Sequence, residues 1–347
     1  MDNYSAATPV QVSLNSSHDR ARLTDFLESA GLRMESGLEY YAAITDPQTD
    51  DLIAGGGFEA NVIKCVATAP QWRGLGLINT IISHLRSELR ARGSSNIFIY
   101  TKPDNLDLFQ SLAFYLVGSS PLAILMESSK RALARFKREL SNHKKPGLTG
   151  AIVLNANPFT LGHRFLIETA AQQCDQLVLF PVKANRSEFS YEERLNLIRA
   201  GTADLPNVEI LNGGDYIISP ATFPSYFLKK LDEAALAQAQ LDMNIFSSHI
   251  APSLNIGIRW VGSEPLDPLT NAYNEVMRAV LEPSGIKVKL VERLDKNGTL
   301  VSASAVRNFL KTDQWDEVQK LVPPSTWKYL HSEAGQKAVD RLKAYAQ

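Results

Sequence analysis

The chain has 347 residues, with 36 Lys and Arg against 37 Asp and Glu and a formal charge of −1. That length predicts about two domains, each with its own core. The near-neutral balance excludes a generic nucleic-acid or anionic-membrane binder, whose affinity rests on excess cations, and a hydrophobic share of 44% with 21% charged residues excludes a disordered or fibrous chain. The opening stretch, MDNYSAATPVQVSLNSSHDR, lacks the basic start and apolar run of a secretory leader. No segment approaches the ~20 apolar residues that span a bilayer. The two cysteines, Cys65 and Cys174, are too few for a disulfide framework or a cysteine-rich zinc site. The expected location is the cytoplasm, where buried thiols stay reduced.

In chain order, residues 22–31 have a helical period, and YYAAIT (40–45), DLIAGGGF (51–58) and NVIKCVATA (61–69) read as strands. Residues 76–92 place Leu77, Ile81, Ile82, Leu85 and Leu89 on one helix face. A short buried strand (96–101), a helix (105–113) and a last strand (121–126) complete a first domain, 1–126. The segment 127–147, ESSKRALARFKRELSNHKKPG, is basic, helical in period and closed by Pro146-Gly147, as expected of a connector. From 148 to 347 short apolar strands alternate with helices. The strands are TGAIVLN (149–155), QLVLFPVK (176–183), VEIL (208–211), IRWVG (258–262) and VKLVERL (288–294), with helices at 163–173, 190–200, 224–241 and 268–282. Such alternation predicts a Rossmann-like parallel sheet, with ligands at the carboxyl ends of its strands. The expected class is therefore α/β, an α+β domain followed by a parallel-sheet domain.

Three strand ends carry candidate chemistry. The run Asn155-Ala156-Asn157-Pro158-Phe159-Thr160-Leu161-Gly162-His163 joins a strand to a helix, whose N-terminal N–H groups suit phosphate. Thr160 and His163 would donate to phosphate oxygens, and Gly162 would let a ligand approach the backbone. A helix-capping role for His163 is the plain alternative. Lys183 and Arg194 follow the second strand. Gly262, Ser263 and Glu264 end the fourth, where a base or ribose could rest beside Trp260. Further on, Ser302 and Ser304 place hydroxyls at a new helix start, and Arg307 can grip phosphate bidentately. In the first domain, Gln71-Trp72-Arg73-Gly74-Leu75-Gly76 runs from a strand into a helix, and Asn105 precedes the next one.

These motifs carry two resemblances. Thr160 to His163 matches the T-x-G-H form of the HIGH-motif nucleotidylyltransferase superfamily, and Val301 to Arg307 resembles its second motif, S-S/T-S-x-V/I-R, with Ala303 replacing the usual hydroxyl residue. The Gln71–Gly76 loop matches the Q-x-x-G-x-G loop of the GNAT acetyltransferase superfamily, which holds the pyrophosphate of coenzyme A. The tyrosine that often protonates the departing thiolate there falls near Phe109, which has no proton to give.

A GNAT-like domain followed by a T-x-G-H domain is similar in order to the citrate lyase ligase family. Stretches such as NANPFTLGHRFLI, YIISPATFPSYF and VSASAVR carry the likeness from about residue 20 to 330. The resemblance implies ATP-dependent acetylation, by acetate through an acetyl-adenylate, of a dephospho-coenzyme A-type thiol on the citrate lyase acyl carrier subunit. Mg2+ would enter with the ATP. It implies catalytic roles for Thr160, His163, Lys183 and Arg307. ATP contacts would come from Asn155, Asn157, Pro158, Phe159, Gly162, Arg194, Gly262, Ser263, Glu264, Ser302 and Ser304. The thiol-bearing arm would lie on Gln71, Arg73, Gly74, Gly76 and Asn105. Other readings stay open at this level: a pantetheine-phosphate or nicotinamide-mononucleotide adenylyltransferase, a nucleotide or coenzyme A sensor, or an N-acetyltransferase.

Overall fold

The computed structural model of the chain describes residues 8–35, 37–183, 188–217, 231–263, 268–296 and 299–344. It divides into two compact units, Met1–Arg135 with Phe223–Leu241, and Phe136–Thr222 with Asp242–Gln347.

The first unit runs β1 (Val10–Gln11), α1 (Ser17–Ser29), β2 (Tyr40–Thr45), β3 (Leu52–Glu59), β4 (Val62–Thr68), α2 (Leu77–Ala91), β5 (Phe98–Thr101), α3 (Leu106–Ser111), β6 (Tyr115–Ser119) and β7 (Ile124–Glu127). Its sheet has the order β1-β2-β3-β4-β5-β7-β6. The pairs are antiparallel except β4 and β5, which run parallel and register only Val62 with Phe98 and Ile63 with Ile99. The two strands therefore part toward their carboxyl ends. Leu77, Ile81, Ile82, Leu85 and Leu89 of α2 are buried and pack on Ile44, Phe58 and Ile99 of the sheet. Gly56 makes that approach possible, since a Cβ there would stand 3.0 Å from both Ile81 and Leu85 side chains. Burial pushes the Cys65 thiol up to about 12, so it stays protonated and unreactive at neutral pH. The strand β6 was not foreseen from the sequence. It is an edge strand with Tyr115 and Leu116 exposed, so it lacks the inward alternation that marks a strand.

After α4 (Ala132–Ser141) come β8 (Thr149–Leu154), α5 (Leu161–Ala171), β9 (Gln176–Pro181), α6 (Tyr191–Thr202), β10 (Val208–Ile210), α7 (Leu231–Ile245), α8 (Ala251–Leu254), β11 (Ile256–Gly262), α9 (Pro268–Leu281) and β12 (Lys287–Val291). A hairpin of β13 (Asp295–Lys296) and β14 (Thr299–Leu300) leads into α10 (Ala303–Lys311), α11 (Trp315–Leu321), α12 (Pro324–Leu330) and α13 (Glu333–Ala344). Five strands form one parallel sheet in the order β10-β9-β8-β11-β12. The chain steps outward from β8 through β9 to β10, then returns to the other side at β11. That reversal puts a crevice at the carboxyl ends of β8 and β11, where open α/β sheets bind ligands. The last four helices hold a separate apolar cluster built on Val306, Leu310, Val318, Leu330 and Val339.

The architecture is the expected α/β one, a mixed, mostly antiparallel sheet with helices followed by a parallel sheet. Of the helix expected at 224–241, the described part spans Leu231–Ile245, four residues further than expected, while 224–230 lie outside the described residues.

Candidate active site

The site of the second unit begins where β8 ends. Thr160 is the N-cap of α5, and with His163 it forms a reciprocal cap. The His163 N–H donates to Thr160 Oγ1 at 3.4 Å, and the Thr160 N–H donates to His163 Nδ1 at 3.0 Å. Because Nδ1 accepts, the ring proton sits on Nε2. Burial, and next the charge of Arg293, push the imidazole down to about 4, so it is neutral at pH 7. The capping alternative and the ligand role are compatible, since they use different nitrogens.

Arg307 joins the second motif to the first. Its Nη1 donates to the Asn157 carbonyl at 2.6 Å, and its Nη2 donates to Ser304 Oγ at 3.3 Å. Ser302 caps α10, its Oγ accepting from the Ala305 N–H at 3.0 Å. Ser304 is exposed. Lys183 is also exposed, two residues beyond β9. Thr160, His163, Arg307, Ser302 and Ser304 are thus gathered around the end of β8.

Several expectations change in kind. Gly162 was expected to admit a ligand. A Cβ there would instead meet the Val301 carbonyl oxygen at 2.7 Å, so the glycine admits the second motif's backbone. Arg194 was expected to screen phosphate charge. It is fully buried and donates to the carbonyls of Phe189, Asn155 and Val182 at 3.1, 2.8 and 3.0 Å. It ties together the segments that follow β8 and β9, and no N–H at these three bonds is left for a phosphate. Phe159 is core, its ring against Gly201, and only its backbone is polar. Asn157 is buried, and its amide serves Glu188 and the Phe189 N–H. Pro158 is buried behind a cis peptide bond with Asn157, while Asn155 is exposed.

At the end of β11, Trp260 is buried in the core rather than open to a base. Gly262 is partly exposed. The Ser263 N–H donates to the Val291 carbonyl at 2.8 Å, and the Ser263 hydroxyl and carbonyl accept from Arg293 at 3.1 and 3.0 Å. Glu264 lies outside the described residues. Arg293 was missed by the sequence reading. Its signal was available, a cation two residues after the apolar strand VKLV, where a parallel sheet places its ligands. Glu188, which lies 3.4 Å from Arg307 through Oε1, was missed too. Among the described residues no cluster of His, Cys, Asp and Glu could hold a metal ion.

The first unit holds a cleft of about 530 Å³ beside the parting ends of β4 and β5. Arg73, Gly74, Gly76, Asn105 and Phe109 line it. Gly74 and Gly76 have φ of +82° and +74°, conformations that strongly favour glycine, and Gly76 is the N-cap of α2. Asn105 donates to Thr101 Oγ1 at 2.7 Å. Gln71 is exposed at the loop's start. Among the described residues no helix is long and apolar enough to cross a membrane.

Residues 149–330 match the family model described as the citrate lyase ligase C-terminal domain. The chain is 41% identical over 317 residues to the citrate (pro-3S)-lyase ligase of Klebsiella pneumoniae, covering 90% of this chain and 92% of that one. It is 40% identical over 319 residues to the citrate (pro-3S)-lyase ligase of Escherichia coli (strain K12), covering 90% of each. A stretch of 56 residues is 43% identical to the phosphopantetheine adenylyltransferase of Staphylococcus carnosus (strain TM300), covering 16% of this chain and 35% of that one. The chain belongs to the citrate lyase ligase family of enzymes.

Proposed function

We propose that this enzyme uses ATP and acetate to acetylate the thiol of a dephospho-coenzyme A-type prosthetic group on the acyl carrier subunit of citrate lyase, releasing AMP and pyrophosphate. The observation that carries the reading is the bond from Arg307 to the Asn157 carbonyl, which unites both nucleotide motifs beside the neutral His163.

In the first step an acetate oxygen attacks the α-phosphorus of ATP, the bond to the β-phosphate bridging oxygen breaks, and acetyl-adenylate forms. Charge grows on the departing pyrophosphate. The Nε2–H of His163, held in place by the Thr160 N–H and hydroxyl on Nδ1, meets it as a fixed neutral donor, which needs no reorganisation as the charge moves. Arg307, Ser302 and Ser304 hold the β,γ end, and Lys183 adds charge from the end of β9. Mg2+ enters with the triphosphate as part of the substrate. Arg194 acts through structure, fixing the loops that carry these groups.

In the second step the carrier thiol displaces AMP from the acetyl group. The loop Gln71 to Gly76 and Asn105 bind the phosphate-bearing arm of that thiol. The thiol here is the attacking group and loses its proton. An acetyltransferase that consumes acetyl-coenzyme A must protonate a departing thiolate instead, so Phe109 removes nothing this reaction needs. The basic segment 130–145, with exposed Lys130, Arg131 and Arg138, supplies a positive surface for an acidic face of the carrier.

The deciding experiment incubates the protein with ATP, acetate and thiol-form citrate lyase, measuring AMP and restored lyase activity. Pyrophosphate release with phosphopantetheine or nicotinamide mononucleotide as acceptor, the adenylyl group passing to that acceptor, and none with acetate, would reject the reading.

A further inference from the structure

A carboxylate stands inside the array read as a polyphosphate site. Glu188 Oε2 accepts from Asn157 Nδ2 at 2.5 Å, and Oε1 lies 3.4 Å from Arg307 Nε. Arg307 in turn donates to the Asn157 carbonyl, closing a ring of three residues. Burial works against the Glu188 charge, yet hydrogen bonds from its own backbone and from Asn157, then the charge of Arg307, hold the carboxyl below its ordinary value. A negative group beside Arg307 competes with any phosphate for its guanidinium. It also satisfies Arg307 when no phosphate is present, and it orients the guanidinium with Nη2 toward Ser304.

We propose that Glu188 is a positioning residue that serves as the counter-ion of Arg307 in the ligand-free site, yields the guanidinium to the triphosphate, and takes it back as pyrophosphate leaves. The inference rests on the reading of Arg307 as the β,γ-phosphate contact. Its consequence is that Glu188 weakens pyrophosphate binding and hastens release, the step that makes acetyl-adenylate formation hard to reverse.

The test is calorimetric binding of inorganic pyrophosphate to the whole chain, with steady-state kinetics alongside. Glu188→Gln keeps an acceptor for Asn157 and removes the charge. It should bind pyrophosphate about tenfold more tightly, roughly 1.4 kcal/mol, and lower both KM for ATP and kcat as release slows. A purely structural role predicts weaker binding instead. Glu188→Asp, with its charge kept on a shorter arm that cannot span both partners, should show a smaller gain in the same direction and covers the case in which the glutamine variant folds poorly. Arg307→Met should weaken pyrophosphate binding, and adding Glu188→Gln to it should bring no gain. Unchanged or weaker binding in the Glu188 variants, or a gain that persists without Arg307, overturns the proposal while the reading of Arg307 stands. Unchanged pyrophosphate binding in Arg307→Met overturns that reading itself.

Discussion

The Thr160 backbone N–H donates to His163 Nδ1 at 3.0 Å, so the helix cap decides that the imidazole proton sits on Nε2. The two roles of His163 can therefore be separated by substitution. Asparagine places an amide oxygen near the position of Nδ1 and has nothing at Nε2. His163→Asn should keep the thermal midpoint and lose about 10²–10³ in acetate-dependent ATP–pyrophosphate exchange, the usual cost of one donor to developing charge. His163→Ala should lose the same activity and, in addition, about 1 kcal/mol of stability with the cap. Normal exchange in His163→Ala would sink the catalytic assignment.

The same residue sets a pH dependence. The imidazole pKa falls from 6.5 to about 4 on folding, first by burial and then by Arg293. The fold thus favours the neutral ring, and this contribution to stability is fully present above the unfolded pKa. As pH drops from 6.5 toward 4 the unfolded chain takes up the proton first, so stability falls through that window. The ring signal of His163 in the ligand-free protein should shift with a midpoint below pH 5 by nuclear magnetic resonance. A midpoint near 6.5 would reject the neutral-donor assignment. Arg293→Ala should move the midpoint upward.

Gly162 provides a test of how the two motifs are joined. A Cβ at this position would meet backbone, the Val301 carbonyl oxygen at 2.7 Å, and backbone yields less readily than the tip of a side chain. Gly162→Ala should cost about 1–3 kcal/mol, in the range of overpacking. It should also raise KM for ATP, because α10 and Arg307 shift with Val301. A variant of full stability and unchanged KM would show that the approach is not needed.

Much of the fold was legible because its signals are local. The face of α2 follows the period of Leu77, Ile81, Ile82, Leu85 and Leu89, and the parallel sheet follows the alternation of short apolar runs with helices. The motif positions were legible for the same reason, since a strand end followed by a helix start is a local pattern. What the side chains do there was less so. Arg194 reads as a phosphate ligand by type and place, and only the folded chain shows three carbonyls converging on it. Glu188 meets Arg307 across more than a hundred residues, and no spacing rule couples positions so far apart. Gly162 resembles a ligand-approach glycine until Val301 is seen against it.

Arg194 and Lys183 should respond in opposite ways to replacement. Arg194→Met removes the donors from three carbonyls in a dry setting and should cost on the order of 3 kcal/mol, since each unsatisfied buried group costs about 1–3 kcal/mol. Lys183 is exposed, so Lys183→Ala should change stability by less than about 0.5 kcal/mol. It should still slow acetyl-adenylate formation by removing a cation from the β9 end. Chemical denaturation with parallel exchange assays reads both. A stable Arg194→Met enzyme would return that residue to the list of direct phosphate contacts.

The division of labour between the two units rests on Gly74 and Gly76. Both have positive φ, and neither would bring a Cβ within 4 Å of another heavy atom. A Cβ is therefore not crowded in the ligand-free fold, where the cost of a substitution comes from the backbone, and any larger side chain enters the cleft itself. Forcing a residue with a Cβ into the left-handed region costs about 1–2 kcal/mol, enough to let the loop relax away from the geometry that presents its N–H groups at the start of α2. Gly74→Val with Gly76→Val should spare acetate-dependent ATP–pyrophosphate exchange within about twofold, since that step uses Thr160, His163 and Arg307. Acetylation of the carrier thiol should fall by about tenfold or more, because a loss of roughly 1.4 kcal/mol in holding the arm is a factor of ten. Added dephospho-coenzyme A should protect the wild-type cleft from proteolysis and fail to protect the variant. If exchange and thiol acetylation fall together, the loop serves the fold as a whole rather than the second step.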